Sequence, residues 1–168
     1  MNARILCTNK LIEVEGCEPR TFQFRKLPAL TGIKLAKKVI TRILPLAKNL
    51  LPSGNTSNKR EMKDLVGNLD SSILGKIQIE QVAQVLESLS NDDLDEVTRI
   101  CFTNVSEALP AQLTPVMDGY GNYQVEDVEY DPIMFVTLIW EELKFGLSDF
   151  FAGNRWTSLL PKEEAPEE

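Results

Sequence analysis

The sequence predicts a mainly helical α+β domain: a small N-terminal β-hairpin or meander, with amphipathic helices packed around a central C-terminal helix. Three observations carry this. Apolar residues recur at helical spacing in several separate stretches. Short β-rich runs and period-two alternation mark the first 26 residues. The last apolar stretch is greasy over more than half its circumference, so it needs cover from several sides. A length of 168 residues suits one domain, and 43% apolar residues supply a core that needs no disulfide or metal staple.

The elements follow in order. Residues 3–26 are the hairpin region. Ile5-Leu6-Cys7 and Leu11-Ile12-Glu13-Val14 are short β-rich runs, Thr21–Arg25 alternates, and Glu15–Pro19 has turn chemistry. Phe22 and Phe24 are expected to face the helices, because a lone hairpin is marginal in water. Residues 28–51 form a basic helix. Ile33, Ala36, Ile40, Ile43, Ala47 and Leu50 mark its buried stripe, while Lys34, Lys37, Lys38 and Arg42 take the other face. Pro45 lacks an amide hydrogen and is expected to kink or end this helix near Ile43–Leu44, with a short helical piece following to Leu51. The polar, turn-rich residues 52–60 read as a mobile loop.

Residues 61–103 carry further helices. One short helix is expected over 61–70, and a second over Ile77–Leu89. A third restarts at Ser90, with Asp93 where a capping-box acid belongs. Residues 104–130 read as irregular, broken by Pro110 and Pro115. Across the Asp118–Asn122 turn, Thr114–Met117 and Tyr123–Val128 are expected to pair as a second hairpin. Asp131-Pro132 supplies an N-cap and an N1 proline for a final helix over 131–152, stopped by Gly153. The single domain thus spans 1–156, and 157–168 is expected to be a disordered acidic tail.

Composition excludes much chemistry. Without histidine, Ser-His-Asp and Cys-His nucleophilic sites cannot be built, nor can histidine-ligated zinc sites. Cys7, Cys17 and Cys101 are odd in number and widely spaced, so neither a disulfide framework nor a metal knuckle is indicated. No signal peptide and no membrane span are expected, and no cofactor. The carboxylate pairs Asp92-Asp93, Asp95-Glu96 and Glu141-Glu142 do not read as acid–base dyads, since two of the three lie in a helix's first turn, where acids favour the macrodipole; Gly119-Tyr120-Gly121 reads as a turn.

Net charge is −7, unevenly spread. Residues 1–60 hold 12 Lys and Arg against three Asp and Glu, a net +9; residues 61–168 hold six against 22, a net −16. We read this as internal pairing or a charged protein partner in preference to nucleic acid, which the acidic majority would repel. The stripe Lys34, Lys37, Lys38, Arg42 is accordingly either a charged contact face or a match to the acidic half. It has no interleaved aromatic residue for stacking on bases. Along the final helix, Trp140, Leu143, Leu147, Phe150 and Phe151 read as core or as a ridge for a protein partner.

Two segments resemble the tail assembly chaperones of tailed bacteriophages. One is Thr21-Phe22-Gln23-Phe24-Arg25-Lys26-Leu27-Pro28-Ala29-Leu30, a strand closing on Leu-Pro-Ala before a basic helix. The other is Leu143–Gly153, which closes a long helix near the C-terminus. The order between them, a polar loop and middle helices, is also similar, so the resemblance covers roughly residues 20–155. It implies a non-catalytic chaperone that holds the phage tape-measure protein soluble during tail assembly, in the cytoplasm of the infected host and absent from the mature virion. It further implies contacts with the tube protein or a frameshifted longer form of the same chain, and is compatible with a homo-oligomer. The competing readings are a structural or adaptor protein retained in the particle, and a small nucleic-acid-binding regulator.

Overall fold

The computed structural model describes residues 6–50 and 76–148. Their centre is a four-stranded antiparallel sheet in the simple order β1-β2-β3-β4. Strands β1 (Cys7–Ile12) and β2 (Arg20–Arg25) form the expected hairpin, with Cys7 opposite Arg25 and Ile12 opposite Arg20. Gly16 supplies the left-handed residue of the connecting turn, at φ 84°. The alternation of β2 works as the pattern demands: Phe22 and Phe24 are fully buried, and Gln23 between them faces away.

Helix α1 (Ala29–Leu50) comes next. It runs through Pro45 as one element, so of the expected kink or end, the end does not occur. A helical proline removes one amide donor, which here does not end the helix. Helices α2 (Ile79–Glu87) and α3 (Asn91–Asn104) follow. Ser90 caps α3 as its sequence suggests, its hydroxyl accepting from the Asp93 amide at 3.2 Å. The expected helix over 61–70 and the loop at 52–60 lie outside the described residues.

The expectation of a mainly helical chain with β-structure only at its N-terminus is overturned here. Strand β3 (Val105–Ala108) starts on the residue after α3 ends and pairs with the open edge of β2, Phe24 opposite Val105. Strand β4 (Leu113–Pro115) folds back on β3. The β-structure is therefore spread along the chain and forms one layer, not an appendage. Neither short strand shows clear alternation, and each exists because a neighbouring strand offers an edge. The second hairpin is also corrected. The turn at 118–122 forms, with a single bridge from Met117 to Tyr123, but Thr114 and Pro115 pair with β3 instead. The segment expected to be its second strand contains a short helix, α4 (Glu126–Tyr130).

The final helix, α5 (Pro132–Gly146), opens as predicted: Asp131 Oδ1 accepts from the Ile133 and Met134 amides at 3.0 and 3.1 Å. It packs against α2, α3, α4 and β2. It runs to Gly146, with the Leu147 amide bonding the Leu143 carbonyl; the expected end near Ala152 lies outside the described residues. Gly146 is buried tightly against the sheet side. A Cβ there would lie 3.0 Å from Leu27 Cγ and 3.2 Å from Glu142 Oε1. The predicted stop at Gly153 lies outside the described residues. Between sheet and helices Phe102 anchors the core, edge-to-face with Phe135 at 5.0 Å and with Tyr123 at 5.9 Å.

Candidate functional site

The greasy helix comes first, because the sequence singles it out. Trp140, Leu143 and Leu147 are 3, 2 and 1% exposed and belong to the same cluster as Phe22, Phe24 and Phe102. The structure therefore brings these three together as core. Phe150 and Phe151, the other two aromatic candidates, lie outside the described residues.

The basic stripe divides in two. Lys38 Nζ donates to Asp93 Oδ1 at 2.8 Å and also to Glu96 Oε2, tying α1 to the acidic start of α3. These bonds raise the Lys38 pKa and hold Asp93 below the usual carboxylate range. Arg42 donates through Nη1 to the Ser88 carbonyl at 2.6 Å and to its hydroxyl at 3.0 Å, closing the exposed end of α2. Lys34 and Lys37 are exposed. The positive N-terminal part and the negative remainder thus meet partly inside one molecule. The hairpin does the same: Lys10 bonds Glu141 of α5 at 2.6 Å. Arg20 grips Glu107 of β3 with two bonds of 2.7 and 2.8 Å, reaches Asp127 of α4, and lies over the Phe22 ring.

Two open cavities are lined by charged groups. One of about 490 Å³ lies among Cys17, Glu18, Arg20, Glu107, Asp127, Asp131 and Met134. The Cys17 thiol donates to Asp131 Oδ2 at 3.5 Å, which raises its pKa. The other, of about 610 Å³, lies between α3 and the 118–122 turn, with Asp92, Asp95, Arg99 and Tyr123 in its lining. That turn is held by Asp118, whose carboxylate accepts from the Tyr120 and Asn122 amides and from two side-chain amides, so its pKa falls. It displays Tyr120 at 89% exposure. Among the described residues, no group of three or more Cys, Asp or Glu is placed to hold a metal.

One group escaped the sequence reading. Glu142 is fully buried, and neither of its carboxyl oxygens has a hydrogen-bond partner. Burial pushes its pKa up to about 9; the Arg25 amide and the Lys26 charge pull it down by less. Glu142 is therefore a neutral carboxylic acid at physiological pH. The signal was available in the spacing: Glu142 stands four residues after Leu138 and four before Gly146, within the apolar stripe. It lines neither open cavity.

Lys10, Arg20 and Lys38 thus tie the layers of a small α+β domain together, around a core with one silent acid. The sequence comparison gives both class and family: the chain is an assembly protein and belongs to the phage tail assembly chaperone (TAC) family, which it matches over residues 16–157. Its role is accordingly that of a chaperone in tail assembly. Comparison with proteins of curated function found no match, and none was found among solved structures.

Proposed function

We propose that this chaperone acts without catalysis, by binding the tape-measure protein in the cytoplasm of the infected host and keeping it soluble until the tail tube surrounds it. The family match over residues 16–157 carries this reading. Three physical features support it. The chain has no histidine for acid–base work. Its net charge of −7 favours solubility of a bound complex. Binding lowers the free concentration of an aggregating client by mass action. Among the described residues, no helix is long and apolar enough to cross a membrane.

The client contact is assigned to the end of the C-terminal aromatic run. Trp140, Leu143 and Leu147 fix α5 in the core, and Phe150 and Phe151 are the aromatic residues that follow it. A charged residue at Trp140 would unfold the domain, so it cannot test the contact. Replacing Phe150 and Phe151 together with Glu can. The double variant is expected to lose co-purification with the tape-measure protein while unfolding at the wild-type denaturant midpoint. Undiminished co-purification would remove the assignment. Retention in the particle is the second reading, and mass spectrometry of purified virions separates the two: the chaperone is expected to be missing.

A further inference from the structure

The two edges of the sheet are built differently. β4 is three residues long and ends on Pro115, which has no amide hydrogen to offer. β1 has six residues, no proline, no glycine and an unbroken register with β2. One bond tells which way its backbone groups point. The Lys26 amide donates to the Leu6 carbonyl at 2.8 Å, one step beyond the Cys7–Arg25 pair. Antiparallel pairs alternate between bonded and non-bonded, so Leu6, Thr8, Lys10 and Ile12 aim their backbone groups at β2. Cys7, Asn9 and Leu11 aim theirs outward, where no described strand pairs with them. Their side chains are exposed, on the sheet face opposite Phe22 and Phe24. An edge of this kind is a template for another strand.

The strand's own pattern names the occupant. Leu6-Cys7-Thr8-Asn9-Lys10-Leu11-Ile12 reads apolar, apolar, polar, polar, polar, apolar, apolar, the same in both directions about Asn9. Two copies laid antiparallel on a two-fold axis through Asn9 set Cys7 against Leu11, Leu6 against Ile12 and Thr8 against Lys10. Apolar then meets apolar, polar meets polar, and no like charges face each other. The same register bonds the outward N–H and C=O groups of Cys7, Asn9 and Leu11 to one another. Lysine on an edge strand ordinarily guards against such pairing, but Lys10 turns to the helix layer and its charge is matched by Glu141 at 2.6 Å. Asn9 Oδ1 accepts from Gln23 Nε2 at 3.2 Å, which leaves its NH₂ for the Asn9 of the second copy.

We infer that the chain self-associates through β1 into a two-fold dimer, joining two four-stranded sheets into one. The interface lies on the hairpin and does not depend on how the client is bound. Sedimentation of the full chain is expected to give twice the monomer mass. Asn9→Pro deletes one outward amide, no backbone bond to β2 and only the exposed side-chain bond to Gln23, and is expected to weaken self-association by about tenfold or more, with an unchanged far-UV spectrum. A cross-link keeps the test decisive if that variant misfolds. Across a bonded antiparallel pair the Cα atoms stand about 5.5 Å apart, within disulfide range. In a Cys7→Ser, Cys17→Ser background, Asn9→Cys is expected to form a disulfide-linked dimer under mild oxidation, and Gln23→Cys, one strand inward, to form no disulfide link. A wild-type chain that sediments as a monomer overturns the inference. So does a dimer that Asn9→Pro leaves intact and Asn9→Cys fails to link.

Discussion

Glu141 and Glu142 are neighbours on α5 and live in opposite worlds. On the outer face, Glu141 accepts from Lys10 at 2.6 Å and from Lys144 at 2.8 Å. On the inner face, Glu142 lies beside Gly146 with no well-formed hydrogen bond at either oxygen, and the Arg25 amide offsets its burial only in part. The difference is one of position alone: a step of one residue turns a helix by about 100°, from the 3.6-residue repeat. It teaches that the inner face of α5 is governed by packing and desolvation, and the outer face by screened charge. It also tells against reading the two as a catalytic pair.

That contrast can be broken in graded ways. The largest effect belongs to the inner face. Trp140→Ala is expected to cost about 3–5 kcal/mol of unfolding free energy, since a large buried side chain leaves a cavity that its neighbours fill only in part. Denaturant unfolding measures it, and a loss below about 1 kcal/mol would show that Trp140 is not core.

Glu142 comes next, through pH. Its carboxyl titrates at the ordinary 4.5 when the chain is unfolded and at about 9 when folded. Between those values the folded state holds a proton that the unfolded state has released. The contribution of Glu142 to stability is therefore fully present below pH 4.5, declines as pH rises, and is lost by about 9, with a slope of at most about 1.4 kcal/mol per pH unit. A chain without histidine offers few other side chains that titrate between pH 5 and 8, so the slope is readable. Glu142→Gln is expected to flatten it. A wild-type profile already flat from pH 5 to 8 would mean that the carboxyl is solvated. The smallest effect is on the outer face: Lys10→Ala is expected to cost less than about 1 kcal/mol and to matter less in high salt, because surface ion pairs are weak and screened.

How far the sequence revealed this structure depends on whether each signal was local. Asp131-Pro132, Ser90 with Asp93, and the Phe22–Phe24 alternation are local chemistry, and each forms where the pattern places it. Val105–Ala108 and Leu113–Pro115 carry Ser106, Glu107 and Pro115 and show no strand pattern of their own. Val105–Ala108 becomes a strand because β2 presents an edge across more than 80 residues of chain, and Leu113–Pro115 because β3 then offers the next edge. Separation along the chain likewise hid the pairing of Lys38 with Asp93 and of Arg20 with Glu107, although the opposite charges of the two parts of the chain announced that some pairing existed. In the candidate site, the sequence left Trp140, Leu143 and Leu147 open between core and ridge, and all three are buried. Hydrophobicity alone does not say which side of a surface a residue occupies.

The most direct test of the central claim is the solubility of the cognate tape-measure protein when it is co-expressed with the full chain. The account predicts that the tape-measure protein moves from the insoluble to the soluble fraction and co-elutes with the chaperone in size-exclusion chromatography. A tape-measure protein that stays insoluble beside a folded chaperone, or one equally soluble without it, would contradict the account.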